Sequence, residues 1–304
     1  MKTGKSLVYS DKQLEKINRQ IPVVTCPKIY KQAGIYLPGK VEATPIVFQG
    51  NLLTVTFCRE ASHGTGVQIH DFFTKKLVKD FSWDYGLGCA IVIEDEIRLF
   101  GSTDWENAGN AIYTSILVPE FEINPDSTQA VYQANPDQQI YNSSVSGGAS
   151  PGEYIMAYEV REPDTKPFSI RFLHSTDLVT WDPIGTIFQP GIYAACPTIR
   201  YSDGWYYIIY LEHRRGYVEC ISRTKDFLNF DNFSGNPELG PNVQVLSAKG
   251  YLHEGLNNSD IDMVEYKGIT YFVYADGDQR SWDDMRTAIY LGSMDEFFKE
   301  FWRD

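Results

Sequence analysis

A chain of 304 residues with 43% hydrophobic and 14% aromatic content can bury a large core and is long enough for one or two domains. Its formal net charge of −13 excludes a basic surface, so nucleic acid and anionic membranes are poor partners while a neutral ligand remains compatible. The five cysteines, Cys26, Cys58, Cys89, Cys196 and Cys220, are scattered and lack a CxxC pair; this argues against a disulfide framework or thiolate metal site and for reduced thiols in a cytoplasmic protein.

The first residues, MKTGKSLVYSDKQLEKINRQ, lack the apolar core of a secretory signal, and no segment has the apolar length needed to span a bilayer. Ser10 followed by Gln13 forms a capping-box pattern for a short helix from Leu14 to Arg19. The stretch from Cys26 to Pro38 reads as irregular. Residues 1–40 are therefore expected to form an N-terminal extension packed on a domain spanning residues 41–304.

Beyond Val41 the pattern is almost wholly β. Leu52 to Cys58, Glu96 to Phe100, Tyr154 to Tyr158, Trp205 to Leu211 and Ile269 to Tyr274 are rich in Tyr, Phe, Val and Ile, residues that suit a pleated and largely buried surface. Each follows an apolar strand and a turn, and the unit recurs five times, starting near Val41, Leu87, Tyr141, Tyr193 and Asn257. The turns fall at Gly50, Asp95, Gly152, Gly204 and Gly268, at intervals of 45, 57, 52 and 64 residues, the length of about four short strands with variable loops. The expected fold is an all-β, five-bladed β-propeller with about four antiparallel strands per blade and a central ligand pocket. A β-sandwich or jelly roll also uses many short strands, but it predicts no register between distant turns. The terminal SMDEFFKEFW from Ser293 reads as a helical closing segment.

In such a blade the first strand lines the channel and the second returns to the same rim. Glu42 stands eight residues before Gly50 and Asp260 eight before Gly268, so the two carboxylates hold equivalent places in neighbouring blades. Strand alternation puts Asp262 on the same side as Asp260 and deeper, either facing the pocket or tethering a neighbouring Arg. The second strands end in Arg59 and Glu60, Asp104, Glu159 and Arg161, Glu212 with His213 and Arg214, and Asp276 with Asp278; about half of these are expected to be solvated charge or ion pairs. The polar run LHEGLNNSDID adds His253, Glu254 and Asn258. Asp260-x-Asp262 and Asp276-Gly277-Asp278 can in principle chelate a cation, but such pairs are common by chance and no metal is expected. His63, His70 and His174 show no ligand spacing.

Paired carboxylates across a shared pocket are what glycosidic cleavage requires, one to protonate the leaving oxygen and one to activate water or attack the anomeric carbon. Trp83, Tyr85, Trp105, Tyr141, Tyr193 and Trp282 can either stack on sugars or pack between blades.

V-E-A-T-P from Val41, Y-A-A-C-P-T-I from Tyr193 and H-S-T-D-L-V-T-W-D-P from His174 resemble the five-bladed propeller glycoside hydrolases of family 43, with families 32, 62, 68, 117 and 130 as relatives. The resemblance covers about residues 40–300 at the level of architecture, and it implies that Trp181 packs at a blade edge while Asp177 caps a turn. It also implies a catalytic base where Glu42 stands in place of the usual Asp. A second acid is implied near the start of blade three, where the chain has Asn142 and Ser143, and a general acid in blade four, where it has Ala195. Glu212, at the end of an apolar strand, either supplies that missing acid or pairs with Arg214 or Arg161.

The resulting expectation is a cytoplasmic, exo-acting glycoside hydrolase for small oligosaccharides, needing no cofactor. Glu42, Asp260 and Glu212 would carry the chemistry. Asp262, His253, Glu254, Asn258, Arg59, Asn142, His213, Asp104, Trp105 and Trp282 would contact the sugar. The alternatives are a non-hydrolytic carbohydrate-binding propeller, suggested by Asn142 and Ala195, and a sugar phosphorylase or transferase using Arg59, Arg161 and Arg214 for phosphate.

Overall fold

The computed structural model describes residues 29–32, 34–61, 64–103, 108–118, 120–165, 168–213, 217–234, 257–277 and 283–302. The helix expected from Leu14 to Arg19 lies outside them. Five antiparallel units follow one another in the chain. Blade one is Glu42–Phe48, Asn51–Ala61, Gly64–Asp71 and Leu77–Ser82. In blade two, Gly86–Ile93, Glu96–Ser102 and Ala111–Val118 are edged by the short strands Glu122–Ile123 and Gln129–Gln133. Blade three is Gln139–Gly147, Tyr154–Arg161, Ser169–Ser175 and Asp182–Phe188. Blade four is Ala195–Ser202, Trp205–His213, Tyr217–Thr224 and Phe230–Asn232. Blade five begins with Asn257–Tyr266, Ile269–Gly277 and Asp283–Tyr290.

The outer edge of blade five comes from the other end of the chain. Ile29–Lys31 pairs antiparallel with Ala288 to Tyr290, and Leu37–Pro38 with Asp284 and Met285. The stretch read as irregular thus contains two strands, too short to show a hydrophobic period, and they matter because an unpaired edge is a site for wrong pairing.

The first strands of blades one to five touch in succession, and that of blade five returns to that of blade one, so the units close into a ring. Blades four and five also share a single parallel pair, Tyr217 with Asn257. Each seam between blades has its own apolar cluster. Phe172, Phe188, Tyr210 and Phe227 fill the seam of blades three and four, where truncating one aromatic ring to Ala costs about 3–5 kcal/mol. The seam of blades five and one is built from Ala43, Leu52, Phe72, Val273 and Met285 together with Tyr36 and Leu37 from the N-terminal segment. The closing helix is Met294–Lys299, with a capping box between Ser293 and Glu296, and it presses Phe298 flat on Tyr207 at 4.2 Å.

The turn glycines Gly50, Gly152, Gly204 and Gly268 all take left-handed φ between 75° and 81°, whereas at Asp95 that role passes to Glu94, φ 53°. The Ser-x-Asp-Leu phrase makes a blade-edge turn in which Asp177 accepts from Val179 N and Thr180 N, while Trp181 is buried. Thr224, Asp226 and Phe227 repeat that turn one blade later.

Candidate active site

At the axis lies an open depression of about 320 Å3, the solvent at its mouth included, lined among the described residues by the starts of all five first strands. Blade one contributes Glu42 to Thr44, blade two Gly88 and Cys89, and blade three Asn142 to Ser144. Blade four adds Cys196 to Thr198, and blade five adds Asp260 to Asp262. Glu42 and Asp260 therefore face the same space from adjoining blades. The wall they form is acidic, and the wall formed by blades three and four is neutral.

These starts are bent. In blades two to five the first strand carries a register shift, between Gly86 and Cys89, Ile140 and Ser143, Ala195 and Thr198, and Ser259 and Asp262. Such bulges turn side chains away from the regular alternation and often stand beside functional sites. Leu87, Cys196 and Asp260 sit in them at φ 49°, 46° and 53°, a backbone region that costs a residue with a side chain about 1–3 kcal/mol. Gly88 has no freedom to change, because a Cβ there would collide with the carbonyl oxygen of Phe100.

A carboxylate from the preceding blade pins three of the four bulges. Leu87 N donates to Glu42 Oε2 at 3.1 Å, Cys196 N to Glu159 Oε2 at 2.8 Å, and Ile261 N to Glu219 Oε1 at 3.4 Å. Buried backbone donors need partners, and here the partners are ionisable. Glu159 and Glu219 are almost fully buried, at 1% and 0% exposure. Burial pushes Glu159 up to about 7, with Cys196 N and Asn142 opposing and the charges of Asp260 and Glu42 adding to the rise. Burial, reinforced by Asp260, pushes Glu219 well above the usual carboxylate range, and its Oε2 has no hydrogen-bond partner among the described residues. The Cys196 thiol is raised by burial and by Asp260, Glu159 and Glu219, and it hydrogen-bonds Asp260; it stays protonated and is a poor nucleophile.

The structure brings Glu42, Asp260, Asp262 and Asn142 together around the depression. Asp262 is ion-paired with Arg200 of blade four, and burial raises its carboxyl against the opposing pull of that guanidinium. Asn258, expected to contact the sugar, is not among the lining residues: it is fully buried and accepts from Lys31 Nζ at 2.6 Å. Glu212 and His213 are not among the lining residues. Glu212 accepts from Tyr210 OH at 3.3 Å, and the exposed His213 packs on Tyr217 with ring centres 4.6 Å apart. Both side chains meet tyrosines of their own blade, which strand periodicity alone does not reveal.

His253, Glu254, Asp104, Trp105 and Trp282, and the side chain of Arg59, lie outside the described residues. Asp276 is ion-paired with the buried Arg286, and no group of three metal-ligating side chains occurs among the described residues. The candidate aromatics pack between elements: Trp83 Nε1 donates to Ser115 Oγ at 2.9 Å, Tyr85 stacks on Tyr113, and Tyr141 and Tyr193 meet Phe168 edge-on.

Sequence reasoning placed Glu159 among the rim charges and passed over Glu219. The available signal was position: each stands inside an apolar run, MAYEVR and YVECIS, where a solvated carboxylate is out of place.

No family model and no curated protein sequence matches the chain. Its structure is similar to that of a glycoside hydrolase at 14% identity, covering 94% of this chain and 97% of that one with a TM-score of 0.59. It is similar to an endo-1,4-beta-xylanase from Bacteroides thetaiotaomicron VPI-5482 at 13% identity, 84% and 92% coverage and a TM-score of 0.62. It is also similar to a thermostable family-43 glycoside hydrolase at 13% identity, 86% and 91% coverage and a TM-score of 0.56. At these identities the likeness establishes the fold, the β-propeller seen in glycoside hydrolases of the family-43 type.

Proposed function

We propose that the chain is a glycoside hydrolase acting on small oligosaccharides from one end, with Glu42 and Asp260 as its reacting carboxylates. The observation that carries this is their placement: both stand at the start of a first strand, in adjoining blades, and both face one depression. One serves as general acid and the other as base or nucleophile, the division of labour that cleavage of an acetal requires. Asp262, held by Arg200, and Asn142 complete the polar lining. An end-acting mode fits a depression lined on every side by strand starts. Free Cys58, Cys89, Cys196 and Cys220 fit a reducing, cytoplasmic setting, and no helix of the described residues is long and apolar enough to cross a membrane.

The test is turnover of a panel of aryl pentosides and hexosides and short oligosaccharides by Glu42→Gln and Asp260→Asn. Each is expected to lose about 10²–10⁴-fold in kcat, the usual worth of a positioned acid or base. Unchanged turnover in both variants overturns the assignment.

A second reading, carbohydrate binding without cleavage, is favoured by the neutral wall: the lining from blades three and four, Asn142 to Ser144 and Cys196 to Thr198, carries no acid, and the neighbouring Ala195 is 1% exposed. Saturable binding of sugars with no product over the same panel selects it. A third reading, a phosphorylase, rests on Arg161 and on Arg59 and Arg214, of which Arg214 and the Arg59 side chain lie outside the described residues; a rise in turnover on adding phosphate selects it.

A further inference from the structure

Behind the neutral wall lies a carboxyl that the proposed chemistry does not use. A single oxygen of Glu159, Oε2, accepts from Cys196 N at 2.8 Å and from Asn142 Nδ2 at 3.0 Å. Asn142 Nδ2 also donates to Cys196 Sγ at 3.2 Å. Both amide hydrogens of Asn142 are thereby engaged within the wall. What that side chain retains for the depression it lines is its carbonyl oxygen.

We propose that Glu159 is a positioning residue: it locks Asn142 with the amide nitrogen turned into the wall, and it holds Cys196 in its left-handed conformation. The blade-three wall then meets a ligand through a hydrogen-bond acceptor. An untethered Asn offers a donor or an acceptor as the ligand requires; a tethered one selects. The group recognised there is a donor, a hydroxyl or an amino group. A carboxylate or phosphate at that point meets the carbonyl of Asn142 with Glu42 and Asp260 opposite, and it is rejected. The substrate class this adds is a neutral or amine-bearing sugar, as opposed to a uronic acid or sugar phosphate, and this ligand half rests on the carbohydrate reading above.

The hold depends on an oxygen in the right place and not on charge. Both donors converge on one oxygen, so the other can carry a proton without breaking either bond. The groups whose charge couples to Glu159 include Glu42, Tyr141, Tyr193, Cys196 and Asp260, and Arg161, two residues on along the same strand, hydrogen-bonds Tyr141. Burial and two of these carboxylates raise Glu159 to about 7, so both protonation states occur near neutrality and the tether serves in each.

Two measurements separate the positioning from the ligand reading. The first uses no ligand: amide NMR of the whole chain follows Cys196 N–H and the Asn142 side-chain NH2 from pH 5 to 9. In the wild type both signals are expected to shift together with a midpoint near 7, and in Glu159→Gln both are expected to be flat at all pH. Cys196 N–H and Asn142 NH2 signals that are unmoved by both Glu159→Gln and Glu159→Leu overturn the tether, at whatever pH the carboxyl titrates.

The second is calorimetric titration with methyl β-D-xyloside. Glu159→Leu removes the accepting oxygen and is expected to weaken binding roughly tenfold, the worth of one hydrogen bond set free to turn. Glu159→Gln, which keeps that oxygen, restores it. Asn142→Ala, on the lined surface, is expected to weaken binding to a similar degree whether or not Glu159→Leu folds, and where both fold the double variant is no weaker than either single one. Equal loss in Glu159→Gln and Glu159→Leu, or additive losses in the double variant, overturns the proposal. A chain whose Cys196 and Asn142 signals respond to Glu159 substitution as expected but which binds none of the glycosides and oligosaccharides of the panel above overturns the carbohydrate reading and leaves the tether established.

Discussion

Two seams beside the depression solve one folding problem differently. Each has a bulged strand start whose backbone N–H must be satisfied. At the seam of blades one and two the partner is Glu42, which lines the depression itself; at the seam of blades three and four it is Glu159, a layer behind, with Asn142 and Cys196 in front. The first arrangement leaves a carboxylate facing a ligand, and the second withdraws the charge and presents neutral groups. A carboxylate near the axis is therefore no sign of catalysis by itself. What distinguishes Glu42 is that its carboxylate both pins a strand and meets the open space.

The sharpest way to break this comparison is to move the charge. If the neutral wall were merely a lost acid, Ala195→Glu would restore one. Because Ala195 is 1% exposed, the expected result is instead a destabilised chain, by about 3 kcal/mol or more, with no gain in turnover, read by denaturant melts and kinetics. Next in size are Glu42→Gln and Asp260→Asn. Each loses turnover as stated above, but Glu42→Gln is also expected to lower stability by about 1 kcal/mol because a charge-assisted acceptor for Leu87 N becomes a neutral one.

Glu159 sharpens the comparison through pH. Its carboxyl sits near 7 in the folded chain against 4.5 when exposed, so the folded state binds more protons between those values. The stabilisation from this group is present in full below pH 4.5 and is lost as pH rises through 7, by roughly 3 kcal/mol in total. Denaturant melts between pH 5 and 8 are expected to show a smaller fall in Glu159→Gln than in the wild type. The smallest effect belongs outside the depression: Glu212→Gln and His213→Ala are expected to change turnover by no more than about twofold, the scale of a surface substitution.

Much of the fold was legible in the chain. Gly50, Gly152, Gly204 and Gly268 mark tight turns because they adopt backbone angles that other residues resist, and the alternation after each turn is that of a strand. The pairing of Glu42 with Asp260 followed from counting back from those turns. The bulges were not legible, since Leu87, Cys196 and Asp260 hold left-handed angles without the glycine that advertises them. Nor were the edge strands Ile29–Lys31 and Leu37–Pro38, which at three and two residues are too short to show an alternation. Glu159 and Glu219 read as rim charge or not at all, because burial of a strand carboxylate depends on which blade packs against it. The absence of Glu212 from the lining has the same origin.

The pairing of Ile29–Lys31 with the last strand of blade five also orders events in time. It joins the first described strand to the last, so it is among the most non-local contacts in the molecule, and forming it requires closing a loop of nearly the whole chain. Blades one to four can fold as local hairpins while the chain emerges, yet Glu42 and Asp260 meet only across the seam of blades five and one, beside that final pairing. The depression is complete only once the ring has closed, and a ligand that bridges the two carboxylates would act as a clasp on it, stabilising the closed ring by an amount that grows with the logarithm of ligand concentration.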